Sequence, residues 1–137
     1  MKKFSKQEIS VLIDLLDFSK INGNLIPVIA QDYESNEVLM LAFANKIAIE
    51  KSLETGHAYY YSRSRQKVWK KGESSGHIQE IKDFITDCDN DSVLIKVKQT
   101  QGACHKGYYS CFFKILEEGN FKVNRPRIFD PNEVYEK

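Results

Sequence analysis

The chain predicts an α+β fold, a mostly antiparallel twisted sheet with two helices. Three observations carry that expectation. Two segments, 6–19 and 46–55, place apolar residues at helical spacing behind a polar cap. Several short runs rich in β-branched and aromatic residues lie between turn-forming residues. No internal repeat, linker or low-complexity segment interrupts them.

Each element has its own signal. Ser5-x-x-Glu8 is a capping box, and Ile9, Leu12, Ile13 and Leu16 follow as an amphipathic stripe. Residues 21–24 break that helix. Residues 25–31 read as a strand, with Pro27 pointing to an edge or an irregular start. A turn at 32–36 leads to a second apolar strand at 38–43, and the two form a hairpin. Asn45 caps the second helix, and Gly56 suits a left-handed stop. Residues 57–62 are an aromatic strand. Residues 78–86 and 93–99 are two more, and in the latter Val93, Ile95 and Val97 define one apolar face. A last strand is expected at 110–116, carrying Cys111, followed by a polar, extended tail.

With 137 residues and a net charge of +1, a single domain over 1–137 is expected, its core at about 24–116. Near-neutrality removes any global electrostatic reason to bind nucleic acid or an anionic membrane, so an anion site has to be local. No run approaches the roughly 20 apolar residues of a membrane helix. The N-terminus begins basic but lacks the apolar core of a signal peptide. Free thiols without such a peptide fit a reducing cytosol, so a cytoplasmic location is expected.

The chemistry concentrates between Asp87 and Cys111. Asp87, Asp89 and Asp91 alternate, so an extended backbone puts all three carboxylates on one face and Cys88 on the other. Such a triplet suits a hard cation, Mg²⁺ or Ca²⁺, or is a solvated acidic turn. Ser92 and Lys98 stand where an EF-hand loop needs Gly and Glu, which excludes that motif. Cys88, Cys104 and Cys111 are an odd set, spaced sixteen and seven apart. Three thiolates suit Zn²⁺ with a fourth position left for water; otherwise the three are small buried apolar residues. His105, beside Cys104, reads as a ligand, a general base, or neither.

A second cluster runs from Arg63 to His77. Five of the nine residues from Arg63 to Lys71 are basic, and residues 72–76 offer small residues and hydroxyls whose backbone N–H groups can approach a phosphate. A solvated basic hairpin is the plain alternative. Base stacking on Tyr and Trp beside Arg and Lys is another.

Read together, these motifs resemble the phosphoribosyl-AMP cyclohydrolase family. The matching runs are Glu37-Val-Leu-Met-Leu-Ala-Phe43, Leu53-Glu-Thr-Gly56, Tyr61-Ser-Arg-Ser-Arg65, Trp69-Lys-Lys-Gly-Glu-Ser-Ser-Gly-His77, Asp87-Cys-Asp-Asn-Asp91 and Ala103-Cys-His-Lys-Gly-Tyr-Tyr-Ser-Cys-Phe112. The resemblance implies hydrolytic opening of the adenine ring of 1-(5-phosphoribosyl)-AMP between N1 and C6, the third step of histidine biosynthesis. It implies zinc on Cys88, Cys104 and Cys111, and magnesium on Asp87, Asp89 and Asp91. It implies an intertwined homodimer whose zinc takes cysteines from both subunits, with Cys88 serving the partner chain. His105 is the first candidate for the general acid/base and His77 the second. Arg63, Arg65, Trp69, Lys70 and Lys71, with Glu73, Ser74, Ser75 and Gly76, are the expected substrate and phosphate clamp. His57 is expected to be structural or exposed. One departure stands out: Tyr108 and Tyr109 occupy positions where the family usually carries a basic residue near Ser110. Many family members are fused to a pyrophosphohydrolase, and here that preceding step is expected to belong to another protein. A non-catalytic, zinc-bridged nucleotide- or nucleic-acid-binding module is the alternative.

Overall fold

The computed structural model describes residues 1–135; the last two residues of the expected polar tail, 136 and 137, lie outside that range. Helix α1 spans Lys6–Leu15 and is opened by the capping box. The Glu8 N–H donates to Ser5 Oγ (3.1 Å), and the Ser5 N–H donates to Glu8 Oε1 (3.0 Å). The helix ends four residues short of the expected limit. Leu16 is extended, its N–H closes a tight turn on the Ile13 carbonyl, and the Asp17 N–H donates instead to the Asn90 carbonyl at 2.7 Å. A tertiary hydrogen bond thus takes over where apolar spacing alone would continue the helix.

The main sheet has four strands in the order β2-β1-β6-β5. Strands β1 (Ile26–Asp32) and β2 (Val38–Ala44) form one antiparallel hairpin. Strands β5 (Gln79–Thr86) and β6 (Val93–Gln99) form another. The hairpins join through a parallel β1–β6 pairing. Pro27 therefore sits in an interior strand, but the β6 ladder begins only at Val28, so its missing N–H disrupts no pairing on that side. Between the hairpins come helix α2 (Lys46–Thr55), capped by Asn45 and stopped by Gly56 at φ +77°, and the two-stranded ribbon β3 (Tyr59–Ser62) with β4 (Lys67–Lys70).

Alternate residues of β1 and β6 (Ile26, Val28 and Ala30; Val93, Ile95 and Val97) bury one sheet face. Ile9 and Ile13 of α1, Ala48, Ile49 and Leu53 of α2, and Tyr60 join them in one core. A polar chain runs through it. The Tyr60 hydroxyl donates to Gln79 Oε1, and Gln79 Nε2 donates to Gln99 Oε1 at 2.8 Å, so the fully buried Gln79 is satisfied.

The C-terminal part departs from expectation. The strand expected at 110–116 begins only at Lys114: β7 (Lys114–Glu117) pairs with β8 (Asn120–Val123) through a two-residue turn. Glu118 and Gly119 both have positive φ, as a type I′ turn requires. Before β7 the chain is irregular and docks on β2. Ser110 Oγ donates to the Val38 carbonyl (2.7 Å) and the Cys111 N–H to the Leu39 carbonyl (2.7 Å). Cys111 is therefore in a loop, not a strand. The tail is also not extended throughout, because Pro131–Tyr135 forms a short helix, α3.

Candidate active site

A cleft of about 750 Å³ opens beside the β3–β4 ribbon and the loop that follows it. Antiparallel pairing sets Tyr61 opposite Val68 and Tyr59 opposite Lys70, so the ribbon presents aromatic and basic residues together. The loop after β4 folds back because Gly72 takes φ +85° and lets the Gly76 N–H reach the Gly72 carbonyl at 2.8 Å. A Cβ at Gly72 would lie 2.6 Å from the His77 and Ile78 backbones, so no other residue fits without displacement. The tight loop brings Arg65, Trp69, Lys70, Lys71, Glu73, Ser74 and Ser75 to the cleft, with His105 from the cysteine loop.

Two expected clamp residues stand elsewhere. Gly76 does not line the cleft, and the Arg63 guanidinium stacks on the Phe43 ring at 4.3 Å. Phe43 itself does line the cleft, as do Tyr61 and Lys67. Of the three histidines, only His105 faces the cleft. His77 is 7% exposed; its backbone N–H donates to Ser75 Oγ (3.1 Å), and the ring Nδ1 is buried without a partner among the described residues. Burial lowers its pKa, and the nearby Lys71 ammonium lowers it further. His57 makes an isolated bridge to Glu80 and is partly buried.

Cys104 and Cys111 meet at the closed end of their loop. The Ala103 N–H donates to the Tyr109 carbonyl (2.9 Å), and the Cys104 N–H to the Tyr108 carbonyl (3.2 Å). These bonds fold 103–109 into a ring, and the two thiols come within hydrogen-bonding reach. The Lys106 N–H donates to Cys104 Sγ (3.4 Å). Although residue Cys111 presents surface, its sulfur is crowded. Burial pushes the thiol up to about 11, Cys104 adds to the shift, and Lys71 opposes it. Lys71, itself lowered in pKa by burial, donates to the Ala103 carbonyl and is held near both sulfurs.

Cys88 is not in this cluster. It follows β5, whereas Cys104 follows β6, whose end (Gln99) pairs with the start of β5 (Gln79). The eight residues of β5, about 25 Å at about 3.3 Å each, separate the two sites. Two soft donors in contact, with the Lys71 ammonium beside them, suit a thiophilic metal, but one chain supplies only two of the three thiols there.

Of the two backbones that the spacing allowed, extended or an acidic turn, the turn brings the aspartate triplet together. Asn90 has φ +60°, and the Asp91 N–H donates to Asp87 Oδ1 at 3.0 Å. One oxygen from each of Asp87, Asp89 and Asp91 lies within 4.8 Å of the others; among the described residues no other such group of three potential ligands occurs. Lys20 Nζ bridges Asp89 (2.8 Å) and Asp91 (3.0 Å). The Ser92 hydroxyl lowers the pKa of Asp87, and Lys20 lowers that of Asp89. Lys20 also pulls Asp91 down, but its two carboxylate neighbours outweigh that and leave it raised. Lys20 thus sits as the counter-cation of a strained anionic cluster.

The tyrosines that replace the expected basic residues have structural partners. Tyr108 stacks on Phe113 at 3.8 Å, and the Tyr109 hydroxyl donates to Asp32. Sequence reasoning missed Lys20, Phe43 and three cleft residues from the tail, Pro131, Asn132 and Tyr135. For the last group a signal existed: Asp130-Pro131 is a helix start, and the Asn132 N–H donates to Asp130 Oδ1 (2.9 Å).

Chemically, the arrangement can hold a phosphorylated ligand against cations and hydroxyls, beside two soft donors and one accessible imidazole. Comparison with known proteins agrees with that class of site. The pattern of the phosphoribosyl-AMP cyclohydrolase family matches residues 40–113. A phosphoribosyl-AMP cyclohydrolase of Methanothrix thermoacetophila is 56% identical over 115 residues, 84% of this chain and 93% of the relative. One from Desulforapulum autotrophicum is 57% identical over 122 residues, 88% of this chain and 97% of the relative. A histidine biosynthesis bifunctional protein of Thermoanaerobacter pseudethanolicus is 54% identical over 112 residues, 82% of this chain but 52% of that protein. The chain belongs to the phosphoribosyl-AMP cyclohydrolase family.

Proposed function

We propose that this protein opens the adenine ring of 1-(5-phosphoribosyl)-AMP by hydrolysis between N1 and C6, the third step of histidine biosynthesis, as a zinc- and magnesium-dependent homodimer. The observation that carries the reading is the family match over 40–113, which spans the basic loop, the aspartate turn and the cysteine loop. The alternative, a non-catalytic binding module, is not favoured by it.

Cys104 and Cys111 of one subunit and Cys88 of the partner subunit would hold zinc. The contact of the first two thiols and the distance of Cys88 within one chain support this composite set. Zinc bound there would supply a nucleophilic water at neutral pH. The chain's own groups do the rest. Arg65, Lys70 and Lys71, with the Ser74 and Ser75 hydroxyls, bind and orient the phosphorylated arms of the substrate. His105, open to the cleft, is the group to protonate N1 as the N1–C6 bond breaks. His77 is buried and acts from behind the loop as a positioning group. The Asp87–Asp89–Asp91 turn would hold magnesium in place of Lys20. The reaction is a step of small-molecule biosynthesis, and a cytoplasmic location is proposed with it; no described helix is long and apolar enough to cross a membrane.

The test is the ultraviolet absorbance change of phosphoribosyl-AMP with purified protein, Zn²⁺ and Mg²⁺. Turnover is expected, lost on chelation and restored by zinc. Absence of turnover in folded, zinc-bearing protein would overturn the assignment.

A further inference from the structure

The tail, expected to be polar and extended, reaches the cleft. The family match ends at residue 113, and the main chain beyond it returns to the site over residues 127–135. The return is fitted to the cysteine loop. The Ile128 N–H donates to the Gly107 carbonyl at 2.7 Å. A Cβ on Gly107 would lie 2.6 Å from the Phe129 carbonyl oxygen, and one on Gly102 would lie 2.9 Å from Phe129 Cε1. Both loop glycines therefore leave room for Phe129. The Phe129 ring meets His77 edge-on, with centroids 4.6 Å apart and planes at 81°. Phe129 thereby seals His77, and α3 begins immediately afterwards.

Helix α3 then presents Pro131, Asn132 and Tyr135 to the cleft, which Trp69, Ser74 and His105 also line. Tyr135 is 41% exposed. Its ring rests against Phe129 (6.4 Å) and His77 (6.5 Å) and keeps surface free for a ligand. The cleft's cations and hydroxyls account for recognition of phosphate, and a base has to meet its aromatic rings; of these Phe43 already carries the Arg63 guanidinium and Trp69 packs on Tyr60, and Tyr61 and Tyr135 complete the set. An N1-substituted adenine ring is cationic, and an electron-rich phenol face attracts such a ring.

We infer that the segment 127–135 is a wall of the substrate cleft, in which Phe129 is the anchor and Tyr135 the residue that stacks on the substrate's purine ring. The inference rests on the proposed function and adds a substrate contact to it.

Steady-state kinetics on the full chain with Zn²⁺ and Mg²⁺ test it. Tyr135→Ala is expected to raise KM for phosphoribosyl-AMP about tenfold, the order expected for losing one aromatic stack, with kcat less affected and zinc content unchanged. Tyr135→Phe keeps the ring and should recover most of the loss. Because Tyr135 is largely at the surface, folding is not at risk. A KM for Tyr135→Ala within about twofold of the unsubstituted protein's, whatever happens to kcat, overturns the inference while leaving the cyclohydrolase reading intact. Absence of turnover in the unsubstituted protein overturns that reading, and this inference with it.

Discussion

Gly72 shows how one residue carries a site. Its positive φ turns the chain back, and the 2.6 Å spacing to the His77 backbone leaves no volume for a side chain. Gly72→Ala should cost about 2 kcal/mol from left-handed strain alone. A lowered urea midpoint and a raised KM would register this, since Ser74 and Ser75 move with the loop. Lys20 makes the opposite kind of prediction. It occupies the place of a cation between Asp89 and Asp91, so it competes with the proposed magnesium. Lys20→Ala should tighten Mg²⁺ binding several-fold by titration calorimetry. Unchanged or weaker binding would count against the triplet as the magnesium site. Lys20 was illegible in the sequence because sixty-nine residues separate it from Asp89.

At the scale of elements, the caps were legible and the lengths were not. The Ser5 capping box and the Asn45 cap are local chemistry, readable from residues three apart. Ser5→Ala should cost about 1 kcal/mol in thermal or denaturant unfolding and leave turnover unchanged, since Ser5 does not line the cleft. The end of α1 is set by the Asn90 carbonyl, which no helical periodicity encodes. The aspartate triplet illustrates the same limit. Alternation suggested a strand, and the structure reaches the same convergence of carboxylates through a turn at Asn90. The residue types were informative while the spacing left the backbone open between an extended stretch and an acidic turn; the turn is what forms, and it too brings the three carboxylates to one side. Of the β7–β8 hairpin only the first strand overlaps the expected 110–116; β8 was read into the polar tail, and its apolar residues, such as Phe121 at 72% exposure, face solvent and join no buried stripe.

At the scale of the whole molecule, the separation of Cys88 from Cys104 and Cys111 sets the assembly question. If the proposed zinc site spans two subunits, Cys88→Ala and Cys104→Ala proteins should each be inactive alone. When the two are co-expressed, half of randomly formed dimers pair unlike chains, and each such dimer has one intact site of two. About a quarter of the unsubstituted turnover should return. No recovery, with mixed dimers demonstrated by mass spectrometry, would mean that the sites are not shared.

The sequence by itself determined the fold class, the two principal helices, the central strands, and the residue types of a basic loop, an acidic turn and a thiol cluster. These rest on local rules: side-chain periodicity, capping, and the matching of donor chemistry to ligand. Only the tertiary structure decided that Arg63 stacks on Phe43 and does not itself line the cleft, that His105 and not His77 opens onto it, that Lys20 closes the aspartate turn, and that the tail returns over the cysteine loop. Each of these depends on contacts between residues far apart in the chain. Such contacts are selected by the packing of the whole molecule, and no short stretch of sequence encodes them.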